Sequence, residues 1–185
     1  MASIIKLVGS LNAALWFGAT LFFTFAVGPA FFAPETLALF GASQNPGVAR
    51  FYAGSMAQIV LERYYILQYI CGTIALLHLL ADWLYTGRRS QPLQKYVVFA
   101  LCALVLIGGM LIQPTLHKYH RIQYGSAGRV TLQQVSEAGH SFRTLHGISM
   151  VMNLLVLGGT FFHLYKMLPT ESGPRFVARS KYSTP

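Results

Sequence analysis

From Leu7 to Phe32 the chain reads LVGSLNAALWFGATLFFTFAVGPAFF, without one charged side chain. A helix rises about 1.5 Å per residue, so roughly 20 apolar residues cross the hydrocarbon core of a bilayer. This run is longer than that, and three more apolar runs follow it. Lipid is therefore the solvent in which the chain folds. The expected fold class is all-α: an integral membrane four-helix bundle with helical extramembrane connections. Its spans are expected at about 4–30, 64–84, 96–114 and 146–167. They form one transmembrane unit over 1–168, followed by a disordered basic cytoplasmic tail over 169–185.

Composition agrees with a lipid setting. Charged residues make up 10% of the 185 and hydrophobic residues 54%, where a soluble domain carries about 25% charged. The formal net charge of +9 could mark a nucleic-acid binder. Here the basic residues fall in the connections between apolar runs, where anionic lipid and the positive-inside rule account for them. The expected partners are the lipid bilayer and other membrane protein subunits or a second copy of the chain, with no nucleic acid.

Orientation follows from the same residues. Four spans put the N-terminus, the short middle connection and the tail on one side, with Lys6, Arg88, Arg89, Lys95, Lys166, Arg175, Arg179 and Lys181. The two longer connections carry fewer basic residues over more chain. Both termini are therefore expected in the cytoplasm, in a bacterial inner membrane or its equivalent. The first apolar run is too long for a signal peptide, whose apolar region is about 7–15 residues, so it is expected to stay attached.

The connections carry their own signals. Gly28-Pro29 should end or kink the first helix. Asn45-Pro46 breaks the chain, and 48–62 reads as a short helix at the membrane surface leading into the second span. After His117, helical character returns at Thr131 and runs into the fourth span. Ser10, Ala14 and Gly18 share a helix face, and the pairs Gly108-Gly109 and Gly158-Gly159 lie inside spans. All of these read as helix-packing positions. Cys71 and Cys102 should lie roughly 10 Å apart in depth, as free thiols beyond the reach of a disulfide.

Polar side chains inside hydrocarbon are costly and tend to face the bundle interior. They fall in two layers. Asn12, His78, Asp82 and His163 lie toward the cytoplasmic side. Gln68, Gln113, Ser149 and Asn153 lie toward the outer side, with His146 at the mouth. His78 and Asp82 share a helix face at i and i+4. His78 and His163 stand at similar depth on different spans, a placement that would let two imidazoles ligate a haem b iron. On the outer face, His117 and His120 at i and i+3, with His140 and His146, are candidate ligands for a copper or zinc ion. In each case the competing reading is ordinary hydrogen bonding or a solvated loop. No nucleophile elbow, P-loop or dinucleotide fingerprint is present.

The first-span pattern LWFGATLFFTFAVGPAFF resembles a family of four-helix membrane proteins of unknown function that includes the transmembrane protein 205-like proteins. The matching features are Gly18 after an aromatic residue, the pair Phe22-Phe23, and Pro29 followed by Phe31 or Phe32. The stretch LHGISMVMNLLVLGG, with His146, Ser149 and Asn153, is similar to that family's last helix, and Ser55 to Tyr65 to its entry into the second span. The resemblance implies four spans in a compact bundle and no assigned reaction. A more distant likeness, to copper resistance proteins of the D type, offers no histidine pattern that maps residue by residue, so no ligands are carried over.

The leading functional expectation is a non-enzymatic interaction or accessory subunit of a membrane complex, because packing residues occur on each span without a catalytic constellation. The alternatives are a haem- or metal-binding protein with a redox or metal-handling role, and a small-solute transporter lined by Asn12, His78, Asp82 and Asn153. The transporter reading is weakened by the lack of a clear internal repeat.

Overall fold

A computed structural model describes residues 2–86, 92–125 and 130–168. Arg88, Arg89, Arg129 and the tail 169–185, with Arg175, Arg179 and Lys181, lie outside the described residues.

Among the described residues there are four long helical rods and no strand. The first is α1 (Ala2–Phe22), which passes through a π turn (Phe23–Val27) into α2 (Gly28–Ala30). A short helix, α3 (Pro34–Leu39), follows. It ends on Gly41, whose φ of +78° is the left-handed conformation that glycine adopts without steric cost. The second rod is α4 (Pro46–Thr86). The third is α5 (Pro92–Ile107), a second π turn (Gly108–Ile112) and α6 (Gln113–Gly125). The fourth is α7 (Leu132–Met167), opened by a capping box in which Thr131 and Gln134 bond each other's backbone. All four are long and apolar enough to cross a membrane, so the chain is an all-α integral membrane protein.

Both π turns stand two residues ahead of a proline. Proline lacks an N–H, and its ring clashes with the carbonyl four residues back. Widening one turn relieves the clash: Gly28 N–H donates to Phe23 O, and Gln113 N–H donates to Gly108 O. At Pro29 the first rod passes through the widened turn and ends one residue later, at Ala30, in keeping with the expected end or kink at Gly28-Pro29. The third rod instead continues past Pro114 to Gly125, well beyond the apolar run that ends at Pro114.

The stretch 48–62 is likewise no separate surface helix. It is the first half of α4, because nothing between Val48 and Leu84 breaks a helix: there is no proline, and the glycines are isolated. At 41 residues, α4 is far longer than the roughly 20 that cross the hydrocarbon. Its excess packs against α6, which in turn packs against α7, and the three form a helical cap. Buried Ala49, Ala53, Ala138 and Gly139 let these helices approach closely.

Within the bundle, α1 and α5 each pack against both α4 and α7. The core joins Trp16, Cys71, Ala75, Leu79, Val98, Leu101, Val105 and Val156. Leu11, Leu15, Phe22, Leu77, Phe99, Val151 and Leu154 point outward, as a lipid-solvated surface requires.

The two cysteines are free thiols, but their expected separation in depth is overturned. Cys102 Sγ lies 3.8 Å from the carbonyl oxygen of Gly72, the residue after Cys71. Depth counted inward from the ends of apolar runs fails here because α4 and α5 both overshoot those ends.

Candidate functional site

The histidines resolve into two separate settings. In the cap, His120 is buried and its ring lies among Phe51 (5.8 Å between centroids), Tyr124 (5.2 Å) and Phe142 (6.0 Å). His146 stacks on the same Phe142 ring at 5.8 Å and 5°. A phenyl ring thus serves as packing partner to both imidazoles. His117 is half-buried on α6 and His140 is exposed on α7. His117, His120, His140 and His146 are not gathered around one point, and among the described residues no three His, Cys, Asp or Glu side chains form a group able to hold a metal ion.

Toward the other end, α1, α4 and α7 bring together Asn12, His78 and His163. Asn12 Nδ2 donates to the Cys71 carbonyl at 2.9 Å. The His78 ring presses on Gly9, where an added Cβ would collide with both the ring and the Met167 methyl. His163 is buried edge-on to Trp16, at 6.3 Å and 73°. Asp82, one turn beyond His78, is half-buried. Both His78 ring nitrogens and His163 Nδ1 are buried without a hydrogen-bond partner, and the α1 backbone at Gly9, the Met167 side chain and the Trp16 indole pack beside these imidazoles.

Among the described residues the most organised polar feature is a layer in the half of the bundle nearer the cap, set between the two π turns. It starts on the first rod, where Trp16 and Thr20 of α1 and Thr24 of the π turn repeat every four residues and so fall toward one side. Trp16 Nε1–H donates to Gln68 Oε1. Gln68 Nε2 donates to Thr20 Oγ1 at 2.9 Å, and Thr20 Oγ1 donates to the Trp16 carbonyl at 2.8 Å. One turn further out, Asn153 Nδ2 donates to Thr24 Oγ1 at 2.7 Å, and Thr24 Oγ1 donates to the Thr20 carbonyl at 2.6 Å. Tyr64 then donates its hydroxyl hydrogen to Asn153 Oδ1 at 2.9 Å. The Tyr64 ring also stacks on Phe23, at 4.2 Å and 13°.

Across the bundle, the second π turn supplies Gly108 and Gly109, over which Tyr65 and Tyr69 lie. An added Cβ at either glycine would collide with a tyrosine. Between these groups is a cavity of about 20 Å³, lined in part by Tyr64, Tyr65, Gln68, Ser149 and Asn153. That is about the space of a single water.

All members of this layer are neutral amides, hydroxyls, phenols and one indole. They offer no activated nucleophile and no ionised group. What they do is tie α1, α4 and α7 in one register, with donors matched to acceptors across helices.

Among the residues singled out from sequence, Gln68, Ser149 and Asn153 line this cavity. Gln113 is buried beyond it, with its Nε2 unpartnered. Trp16, Thr20, Thr24, Tyr64 and Tyr65 are additional. The four-residue repeat of Trp16, Thr20 and Thr24 was the available signal, since a polar stripe on an otherwise apolar span faces other protein.

No curated protein and no solved structure matches this chain. A family model described as a domain of unknown function (DUF4149) matches residues 11–125. That match takes in Trp16, Thr20, Thr24, Tyr64 and Gln68 and both π turns. Covering well over half of the 185 residues, it shows that the chain belongs to the DUF4149 family.

Proposed function

We propose that this protein is a non-enzymatic accessory subunit of a membrane complex. In this reading it is a four-helix member of the kind that includes the transmembrane protein 205-like proteins. Both termini are cytoplasmic, in a bacterial inner membrane or its equivalent, and the cap stands on the opposite face. Its partners are other membrane subunits or a second copy of the chain.

One observation carries this reading. The interhelical polar layer uses its hydrogen bonds on neighbouring helices and encloses only about 20 Å³. Small-molecule sites are typically about 300–1,000 Å³. A bundle whose interior polarity serves its own register has its outer surface left for recognition.

The test is cross-linking in the native membrane, followed by gentle extraction and identification of what is attached. Recovery of a defined adduct, lost when the lipid-facing side of one span is substituted, is the expected result. A protein that extracts only as a stable, uncross-linked monomer overturns the reading.

A further inference from the structure

The exposed face of α6 carries Pro114, His117, Lys118, Arg121 and Ile122, spaced i, i+3, i+4, i+7 and i+8. Together they line a shallow, open depression on the surface. The other face of the same helix is buried through Gln113, Leu116 and His120. The concavity is therefore a one-sided, basic feature with an apolar residue at either end. None of its five lining residues is acidic.

Its depth matters as much as its charge. The third rod, Pro92–Tyr124, has 33 residues and at about 1.5 Å per residue is roughly 50 Å long, against a hydrocarbon core of about 30 Å. Its polar α6 end, which carries Lys118 and Arg121, therefore stands beyond the hydrocarbon. The headgroup zone occupies about 5–8 Å on each side of a bilayer, and the long stems of Lys and Arg reach back toward it. The two cations and the His117 ring thus share one helix face at the headgroup end of the rod. In the orientation proposed above, this face is not cytoplasmic, so the positive-inside rule does not account for its charge.

We infer that this face of α6 is a binding site for an anionic phospholipid headgroup. The guanidinium of Arg121 and the ammonium of Lys118 take the phosphate, and His117 supplies a further donor. Pro114, at the membrane end, lies against the acyl region. The occupant is a lipid rather than free phosphate, because the bilayer holds such headgroups at this depth beside an apolar contact.

The test uses the full chain, purified in neutral detergent and offered equal amounts of phosphatidylglycerol and phosphatidylcholine, with retained lipid read by native mass spectrometry. The expected result is a preference of roughly tenfold or more for phosphatidylglycerol, as two basic groups at a membrane surface imply. The double variant Lys118→Ala/Arg121→Ala should bring the preference to within about twofold, while Lys95→Ala/Lys166→Ala, at the other end of the bundle, leaves it in place.

Equal retention of the two lipids by the native chain overturns the inference. So does a preference that survives the α6 double variant or is lost equally in the control. Displacement of the lipid by millimolar inorganic phosphate would mark a free-phosphate site and also overturn it. If the α6 double variant fails to fold, Arg121→Gln with a salt titration of the native chain replaces it. The preference must then fall in the variant and with rising salt, and a preference indifferent to both is the contrary result.

Discussion

Asn153 on α7 donates to Thr24 in the π turn of the first rod at 2.7 Å while accepting from Tyr64 on α4 at 2.9 Å. One amide thus joins three helices that are far apart in sequence. Its donor and acceptor ends are both used, so neither is left to cost free energy inside the membrane.

Replacing Asn153 with leucine should therefore destabilise the bundle through two lost interhelical bonds. Such bonds average about 0.6 kcal/mol and reach about 1.7 kcal/mol, so a loss of about 1–3 kcal/mol is expected. Unfolding in mixed detergent measures it. Gln68→Leu should behave similarly by orphaning the Trp16 indole N–H. Val151→Ala, on a residue that is 59% exposed toward lipid, should stay within about 0.5 kcal/mol.

At the second π turn, Gly108 and Gly109 accept the rings of Tyr65 and Tyr69. Gly109→Val should cost about 1–3 kcal/mol by overpacking. Because the nearest collision is with the Tyr69 hydroxyl, with the Tyr65 ring next, Gly109→Ala should be partly rescued by Tyr69→Phe. The midpoint of thermal unfolding for the two single variants and the double variant decides this. Full additivity would mean that the two residues do not press on one another.

The buried His120 has neither ring nitrogen hydrogen-bonded and three aromatic neighbours. His120→Leu should change stability by no more than about 1.5 kcal/mol. It should leave the zinc and copper content of the purified protein unaltered. A drop in bound metal on this substitution would restore the histidine-ligand reading of the cap.

Cys71 and Cys102 are both free thiols at one level of the bundle, Cys71 buried and Cys102 half-buried. A membrane-impermeant maleimide should label neither in the folded protein and both after denaturation in SDS. Labelling of the folded protein would place one of them at a water-filled path, and would revive the transporter reading.

The spans were legible in the sequence because charge-free runs of this length, with Leu7 to Phe32 the plainest, have one stable solution in lipid: a helix that satisfies its own backbone. The sequence grouped Gln68, Gln113, Ser149 and Asn153 in one layer, of which Gln68, Ser149 and Asn153 line one cavity and Gln113 does not; the perturbation at Pro29 was legible too. Tertiary structure alone decided the rest. Which face of α1 turns inward depended on where Gln68 and Asn153 arrive from other helices. The level of the cysteines depended on how far α4 and α5 overshoot the membrane. The setting of His120 and His146 depended on Phe51 and Phe142, which come from α4 and α7. The physical reason is common to all three: lipid and protein interior are both apolar, so hydropathy marks a span without marking its inner face or its depth. Only the pairing of donors, acceptors and rings between helices selects those.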